Sequence, residues 1–457
     1  MAFINKLLGK RNRALVALLL SLTVIMSACL ISLSFCEQQN SAPLTKEEIT
    51  ANLSEMRDKG YGYACNYLHE IGITGFSEID FKIVETLFSV YSVLDLPDTF
   101  TLAKNTAQLY LDEVYDNIDN TDSDTLTSYL IKCYVSSTSD RYAEYMTKDE
   151  YDVYREDMSG DFIGIGIHFT VNYTDKTATV TSVIRNSPAE ANGILPNDRI
   201  VKVNDSDFNS DIDAMVDAIR GEEGTVVKLT VLRGEEELDF FIVRELIADS
   251  TVDYEMLEGG IGYIRIRSFK DNTDEAFMQA IDELEAMDVR GFIFDVRNNP
   301  GGYLSSVKNV LDYLVPHGTR IYSYSTSTML KEQVAEASNL HHITVPVAVI
   351  CNSGTASAGE LFTSAIRDYG MAEGELGLLD EIIIGETTYG KGVMQSTYST
   401  NTVLGGRLKL TMAYYNPPSN VNYDGKGVEP DVEIKQTNSG DAQLSEAIEQ
   451  LLILINN

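Results

Sequence analysis

Ser357, in the stretch "CNSGTASAGELFTSAIRDYG" from Cys351 to Gly370, stands among small residues immediately before a helical pattern. An apolar strand, a glycine-containing loop and then a helix put its hydroxyl at a helix amino terminus. Unpaired N–H groups and the positive end of the helix dipole gather there, and both favour a developing oxyanion. The same position suits an N-capping serine, which is the commoner fate of such a residue. A nucleophilic hydroxyl also needs a base. The five histidines are His69, His168, His317, His341 and His342. His341 and His342 open the segment "HHITVPVAVIC" at the end of the strand opposite to the serine. About seven strand residues rise roughly 23 Å, which argues against a Ser-His-Asp triad. A lysine can serve instead if burial neutralises it. At pH 7 a free ammonium of pKa ~10.4 is neutral in roughly one copy in 2,500, and burial lowers that pKa by ~3–5 units. Lys391 lies between two glycines in "GETTYGKGVMQ", with Gln395 four residues on. A solvated surface charge is the usual fate of a lone lysine, but glycines on both sides permit close backbone approach and lean against it. Gly301 and Gly302 in "DVRNNPGG" follow an apolar strand. They can turn an amide toward a ligand or simply make a β-α turn.

The elements that must position these groups fall into three blocks. In the last, strand-like "IGYIRIRSF", "RGFIFDV" and "VPVAVIC" alternate with helical "DEAFMQAIDELEAM", "LSSVKNVLDYL" and the segment after Ser357. Continuous apolar strands alternating with amphipathic helices imply a sheet covered by helices. Before it, from Gly160, short β-rich segments such as "DFIGIGIHFTV", "TATVTSVI", "DRIVKVN", "VVKLTVLR" and "LDFFIVREL" are separated by turn residues, with one helical stretch, "DIDAMVDAIR". This is a compact unit of about 85 to 90 residues, a plausible single domain. Earlier still, "FKIVETLFSVYSVL", "TLAKNTAQLYLDEVYDNI" and "DTLTSYLIKCYVSS" carry helical spacing. The 457 residues divide as 1–36, 37–150, 151–245 and 246–457.

The amino-terminal end bears on location. Lys6, Lys10, Arg11 and Arg13 precede an apolar run from Ala14 to Cys36. At ~1.5 Å per residue that run reaches roughly 34 Å, enough to span a bilayer. The positive cluster predicts a cytoplasmic amino terminus with the rest of the chain outside. A cleavable signal peptide and a lipoprotein-type box, "MSAC" with lipidated Cys29, are alternatives; the run continuing past Cys29 favours a retained anchor. All three readings export the chain. A formal net charge of -34 argues against nucleic acid and fits a solubilising acidic surface. The cysteines show no metal spacing; Cys65 and Cys133 could pair outside the cell, and Cys351 reads as a buried small hydrophobe.

Taken in order, "SDRYAEYM", "GDFIGIGI", "NSPAEANGILPNDRIVKVN", "IRGEEGTVVKLTVLR", "IGYIRIRSF", "FDVRNNPGG", "GTASAGE", "GETTYGKGVMQ" and "GVEPDVEI" resemble the C-terminal processing peptidases, or tail-specific proteases. The resemblance runs from about Asp124 to Ile434. It implies an α+β multidomain fold: a helical arm, a PDZ-like β domain, and an α/β serine peptidase core similar to the crotonases and Clp proteases. It implies that Ser357 is the nucleophile, Lys391 its general base and Gln395 the residue that orients Lys391. An oxyanion hole would come from the amide of Ala358 and that of Gly301 or Gly302. "FIGIGI", comprising Phe162, Ile163, Gly164, Ile165, Gly166 and Ile167, is similar to a PDZ carboxylate-binding loop. Such a loop would hold the free C-terminus of a protein substrate while the peptide adds as a strand. The expected protein is thus a membrane-associated serine endopeptidase, single-pass or lipid-anchored, with its catalytic region outside the cytoplasm. No cofactor or metal is implied. A non-catalytic module that binds tails and a crotonase-like acyl-transfer enzyme are the rivals. The sequence departs from the family in the long spacer "MAEGELGLLDEIII", which is harmless as a longer surface loop but not if it shifts Lys391, in Gly359 where serine is common, and in a loose "YYNPPSNVNYDGKG" turn.

Overall fold

A computed structural model describes residues 44–456 apart from 118–121, 173–176, 185–186, 208–214, 216–217, 249–250, 329–330, 371–379, 401–403 and 437–439. The apolar run 14–36 and most of "DIDAMVDAIR" therefore lie outside the described residues. No helix among the described residues is long and apolar enough to cross a membrane. The chain forms two compact units. One comprises the residues up to Val153 with 290–301 and 311–457; the other comprises 154–289 with 302–310.

In the first unit the arm consists of helices Lys46–Glu55, Ala64–Glu70, Glu78–Tyr91, Thr99–Leu109 and Ser123–Ser137. Thr45, Ser77, Asp98 and Asp122 cap four of them through side-chain oxygens, because the first N–H groups of a helix have no partner within it. The helical pattern that follows Thr99 widens into a π-helical turn at Tyr110–Val114. Phe81, Phe88, Leu130 and Tyr134 bury together with Leu408 and Leu410 of the long strand Arg407–Asn416. The arm thereby shares one core with the sheet of its unit. Cys65 and Cys133 are buried free thiols there, so the pairing considered from sequence does not form.

Strands Gly291–Asp295, Val347–Cys351, Glu381–Gly385 and Val432–Glu433 pair side by side in parallel. The first two are buried at every position, as expected for a sheet covered on both faces. The long spacer ends in one of these strands: "EIIIG" lies between Val347–Cys351 and Val432–Glu433. Its apolar triplet is too short to distinguish a buried strand from a loop by pattern alone. A second, antiparallel sheet contains Glu144–Met146, Arg407–Asn416, Arg320–Thr326, Gln333–Glu336 and Val393–Ser399.

In the second unit, strands Ile167–Asn172, Thr177–Val183, Arg199–Val203, Val226–Arg233 and Glu236–Val243 form an antiparallel sheet. Ile165, Val180, Leu229 and Ile242 are among its buried core residues. "DFIGIGIHFTV" is two strands: Asp161–Gly164 pairs separately with Glu245–Ala248. The hairpin Val252–Leu257 with Ile261–Ile266 and the helix Thr273–Glu285 complete the unit.

Candidate active site

Strand Val347–Cys351 delivers the chain to a loop fastened against the 296–299 turn. Thr355 Oγ1 donates to the Val296 carbonyl at 2.7 Å, and the Ala356 amide donates to the Asn299 carbonyl at 2.8 Å. The turn is itself fixed by Arg297, whose guanidinium bridges buried Asp295 and, at 2.8 Å, Asp441 ahead of the last helix. Ser357 then takes φ +54°, in the left-handed region that costs a non-glycine residue about 1–3 kcal/mol. An N-capping serine would hold an extended backbone and accept the N–H three residues on. Here that N–H, of Glu360, donates to the Ser357 carbonyl at 2.9 Å. The capping interpretation therefore fails, although half of a capping box survives: the Ser357 amide donates to Glu360 Oε2 at 2.9 Å.

Glu360 is fully buried and gathers the site. Oε1 accepts from Thr388 Oγ1 and from the Gly390 amide, each at 2.6 Å, and Oε2 accepts from the Lys391 amide at 2.7 Å. One carboxylate thus holds the serine turn and the lysine loop, which lie far apart in sequence, at a common point. Sequence reasoning passed over it, although the spacing from Ser357 to Glu360 was the available signal. Behind them, Tyr423 donates to the Tyr415 hydroxyl at 3.0 Å, and Tyr415 donates to the Lys391 carbonyl at 3.1 Å.

The Lys391 amine carries a pKa pushed down to about 8. Burial is the main cause and Lys409 and Arg141 add to it, against the pull of Asp140 and Glu360. Its Nζ lies 4.5 Å from the centroid of the Tyr142 ring. Among the described residues no hydrogen bond joins Nζ to the Ser357 hydroxyl. Gln395 sits at a β-bulge, and its amide donates to Thr411 Oγ1 at 3.4 Å rather than to Lys391. Thr411 in turn donates from its amide and hydroxyl to the buried Asp140, at 2.7 and 2.9 Å. No role for Asp140 or Tyr142 was legible in "SDRYAEYM".

Gly301 packs directly on the serine. A Cβ on it, at φ +103°, would stand 2.7 Å from Ser357 Cβ and 2.9 Å from the Ala358 amide nitrogen. Its own N–H donates to Asn299 Oδ1 at 2.8 Å. The amides of Ala358 and Gly302 have no protein acceptor among the described residues. Should Ser357 be the nucleophile that the resemblance implies, Gly301→Ala, by displacing the Ser357 Cα by several tenths of an ångström, is expected to lower kcat about 10²-fold with KM little changed. Steady-state kinetics on an unfolded protein would measure the split. His341 is occupied away from this constellation, with Nδ1 2.8 Å from the Tyr313 carbonyl and its ring stacked on Tyr313.

The 162–167 segment lies in the second unit, at a cavity of about 210 Å³ lined among others by Phe162, Ile165, Ile167, Ile219 and Lys270. The carbonyls of Ile165 and Gly166 accept the amides of Ala189 and Ile184, at 2.8 and 3.0 Å. The Ile165 and Gly166 amides have no protein acceptor among the described residues, as a carboxylate nest requires. Gly166 needs to be glycine: its φ is +84°, and a Cβ would fall 2.2 Å from that of Ser187.

Residues 260–434 match peptidase family S41, and residues 164–243 match the PDZ domain. A "Probable CtpA-like serine protease" of Staphylococcus haemolyticus is 36% identical over 303 residues, 66% of this chain and 58% of the relative. One from Staphylococcus aureus is 34% identical over 315 residues, 68% of this chain and 61% of the relative. The chain thus spans less than two thirds of the length of these curated relatives. A crystal structure from Bacteroides fragilis, assigned to the S41 proteases, superposes with a TM-score of 0.50 at 16% identity, covering 81% of this chain and 97% of that one. At that identity the likeness concerns the fold.

Proposed function

We propose that the chain is a member of peptidase family S41 carrying a PDZ domain, on the matches of residues 260–434 and 164–243, and that it is an exported serine endopeptidase working through a Ser357–Lys391 dyad. The observation that carries this reading is the shared carboxylate: Glu360 accepts from the Ser357 and Lys391 amides at 2.9 and 2.7 Å. Neutral Lys391 takes the proton of the Ser357 hydroxyl as Oγ attacks the scissile carbonyl. The oxyanion is held by the Ala358 amide and a glycine amide of the 301–302 turn. The ammonium then returns its proton to the leaving amine, and water hydrolyses the acyl ester with Lys391 again the base. Gln395 would orient Lys391 once the amine turns toward the serine. The segment 151–245 acts as the tail-binding domain, 246–457 as the catalytic core, and 37–150 as the arm.

Protein substrates are recognised by a free C-terminus at Phe162–Ile167, where the Ile165 and Gly166 amides are left without a protein acceptor among the described residues at the cavity. The run 14–36 anchors the chain to the membrane or directs its export, so cleavage takes place outside the cytoplasm.

The dyad requires the neutral amine, so kcat/KM should rise about tenfold between pH 7 and pH 9, as a group of pKa about 8 loses its proton. A profile flat from pH 6 to 9 excludes a lysine base. Amidating the substrate's C-terminus should raise KM at least tenfold and leave kcat nearly unchanged; equal KM for acid and amide sinks tail recognition. The missing hydroxyl–amine hydrogen bond favours a second reading, a non-catalytic module that binds tails. Cleavage of an unfolded protein by the full chain, lost in Ser357→Ala, decides between the two.

A further inference from the structure

We propose that Tyr142 is a positioning residue: the face of its ring cradles the Lys391 amine in the resting enzyme, on a segment of the arm bolted beside the Lys391 strand by Asp140. The inference rests on the reading of Lys391 as the base.

Three observations carry it. The Nζ–centroid distance of 4.5 Å is well inside the ~6 Å range over which an ammonium is attracted to a ring face. Among the described residues no carboxylate forms an ion pair with Nζ. The nearby charges are Lys409 and Arg141, which disfavour the ammonium, and Asp140 and Glu360, which favour it. The ring's place is also built. The Asp140 carboxylate is buried, and it accepts the Tyr142 amide at 3.0 Å together with the amide and hydroxyl of Thr411. Thr411 stands opposite Gln395 in the strand pair Val393–Ser399 with Arg407–Asn416. The adjoining residues 144–146 pair with 407–409 of that same long strand. One carboxylate therefore sets the distance between the arm's tyrosine and the strand that begins two residues after Lys391.

The consequence is chemical. A ring face stabilises the ammonium over the amine, partly offsetting the burial that disfavours it. It also keeps the amine off the serine until substrate draws it across. Around Tyr142 itself the charged and titratable groups are Arg141, whose guanidinium lies 4.7 Å from the same ring, Tyr389 and Asp424.

The test measures kcat/KM against pH, from 6 to 10, for the full chain on an unfolded protein. Tyr142→Leu should move the rising limb to lower pH by about half to one unit. Tyr142→Phe, which keeps the ring, should retain the wild-type limb. Mono-, di- and trifluorinated phenylalanine placed at position 142 should move it down in step with the weakening of the ring face, while preserving shape. A limb unmoved in both the leucine variant and the fluorinated series overturns the proposal. Should the leucine variant not fold, the fluorinated series alone decides. A wild-type profile with no limb at all removes the base assignment first, and this proposal with it.

Discussion

Lys391→Met should lower kcat/KM for an unfolded protein substrate at pH 8 by about 10³-fold or more, with little change in the thermal unfolding midpoint. General-base assistance contributes about 10²–10⁴ in rate, and His341, on the segment leading into the serine's strand, is engaged elsewhere. His341 is held by Tyr313. Methionine fits the same volume and removes a cation that pairs with no carboxylate among the described residues, so folding loses no ion pair. Ser357→Ala should cost a similar factor, and the double variant should be no worse than either single one, since two groups acting as a unit do not add. Activity within tenfold of wild type in Lys391→Met would show that the proton goes elsewhere. An additive double variant would break the dyad into independent contributors.

Glu360→Ala should destabilise the protein by about 3–6 kcal/mol and abolish turnover at temperatures where the wild type is stable. The substitution strands the amides of Ser357, Gly390 and Lys391 and the Thr388 hydroxyl in a site where Glu360 has no exposed surface. Each unsatisfied buried donor costs about 1–3 kcal/mol, against a total stability of about 5–15 kcal/mol. Glu360→Gln should not rescue it. Both carboxylate oxygens accept two donors each, and an amide NH₂ would set donor against donor. Thermal unfolding should show a fall of roughly 2–4 °C per kcal/mol for a unit of this size. An unchanged midpoint with glutamine would mean that the carboxylate does not hold the two loops together.

Much of the scaffold was legible from residue order. "GFIFD" and "VAVIC" were readable as buried strands because every position is apolar or small up to the final aspartate or cysteine. Three of the arm helices were readable from their spacing, whereas Lys46–Glu55 and Ala64–Glu70 were not. "EIIIG" was not, since three consecutive isoleucines carry no period. The disagreement over Ser357 is more instructive. Its neighbours in sequence suit a cap, but φ +54° follows from Thr355 and Ala356 being tied to Val296 and Asn299, which lie far away in the chain.

By itself the sequence determined the kinds of element, their order, and the presence of a serine, a lysine and a glycine pair capable of acyl chemistry, because those follow from residue type and from periods of two and 3.6. Tertiary structure alone decided that the lysine is buried enough to fall to a pKa of about 8, that Tyr142 faces it, and that Glu360 joins its loop to the serine. Burial and electrostatic neighbours are sums over residues distant in the chain, and no local pattern records them.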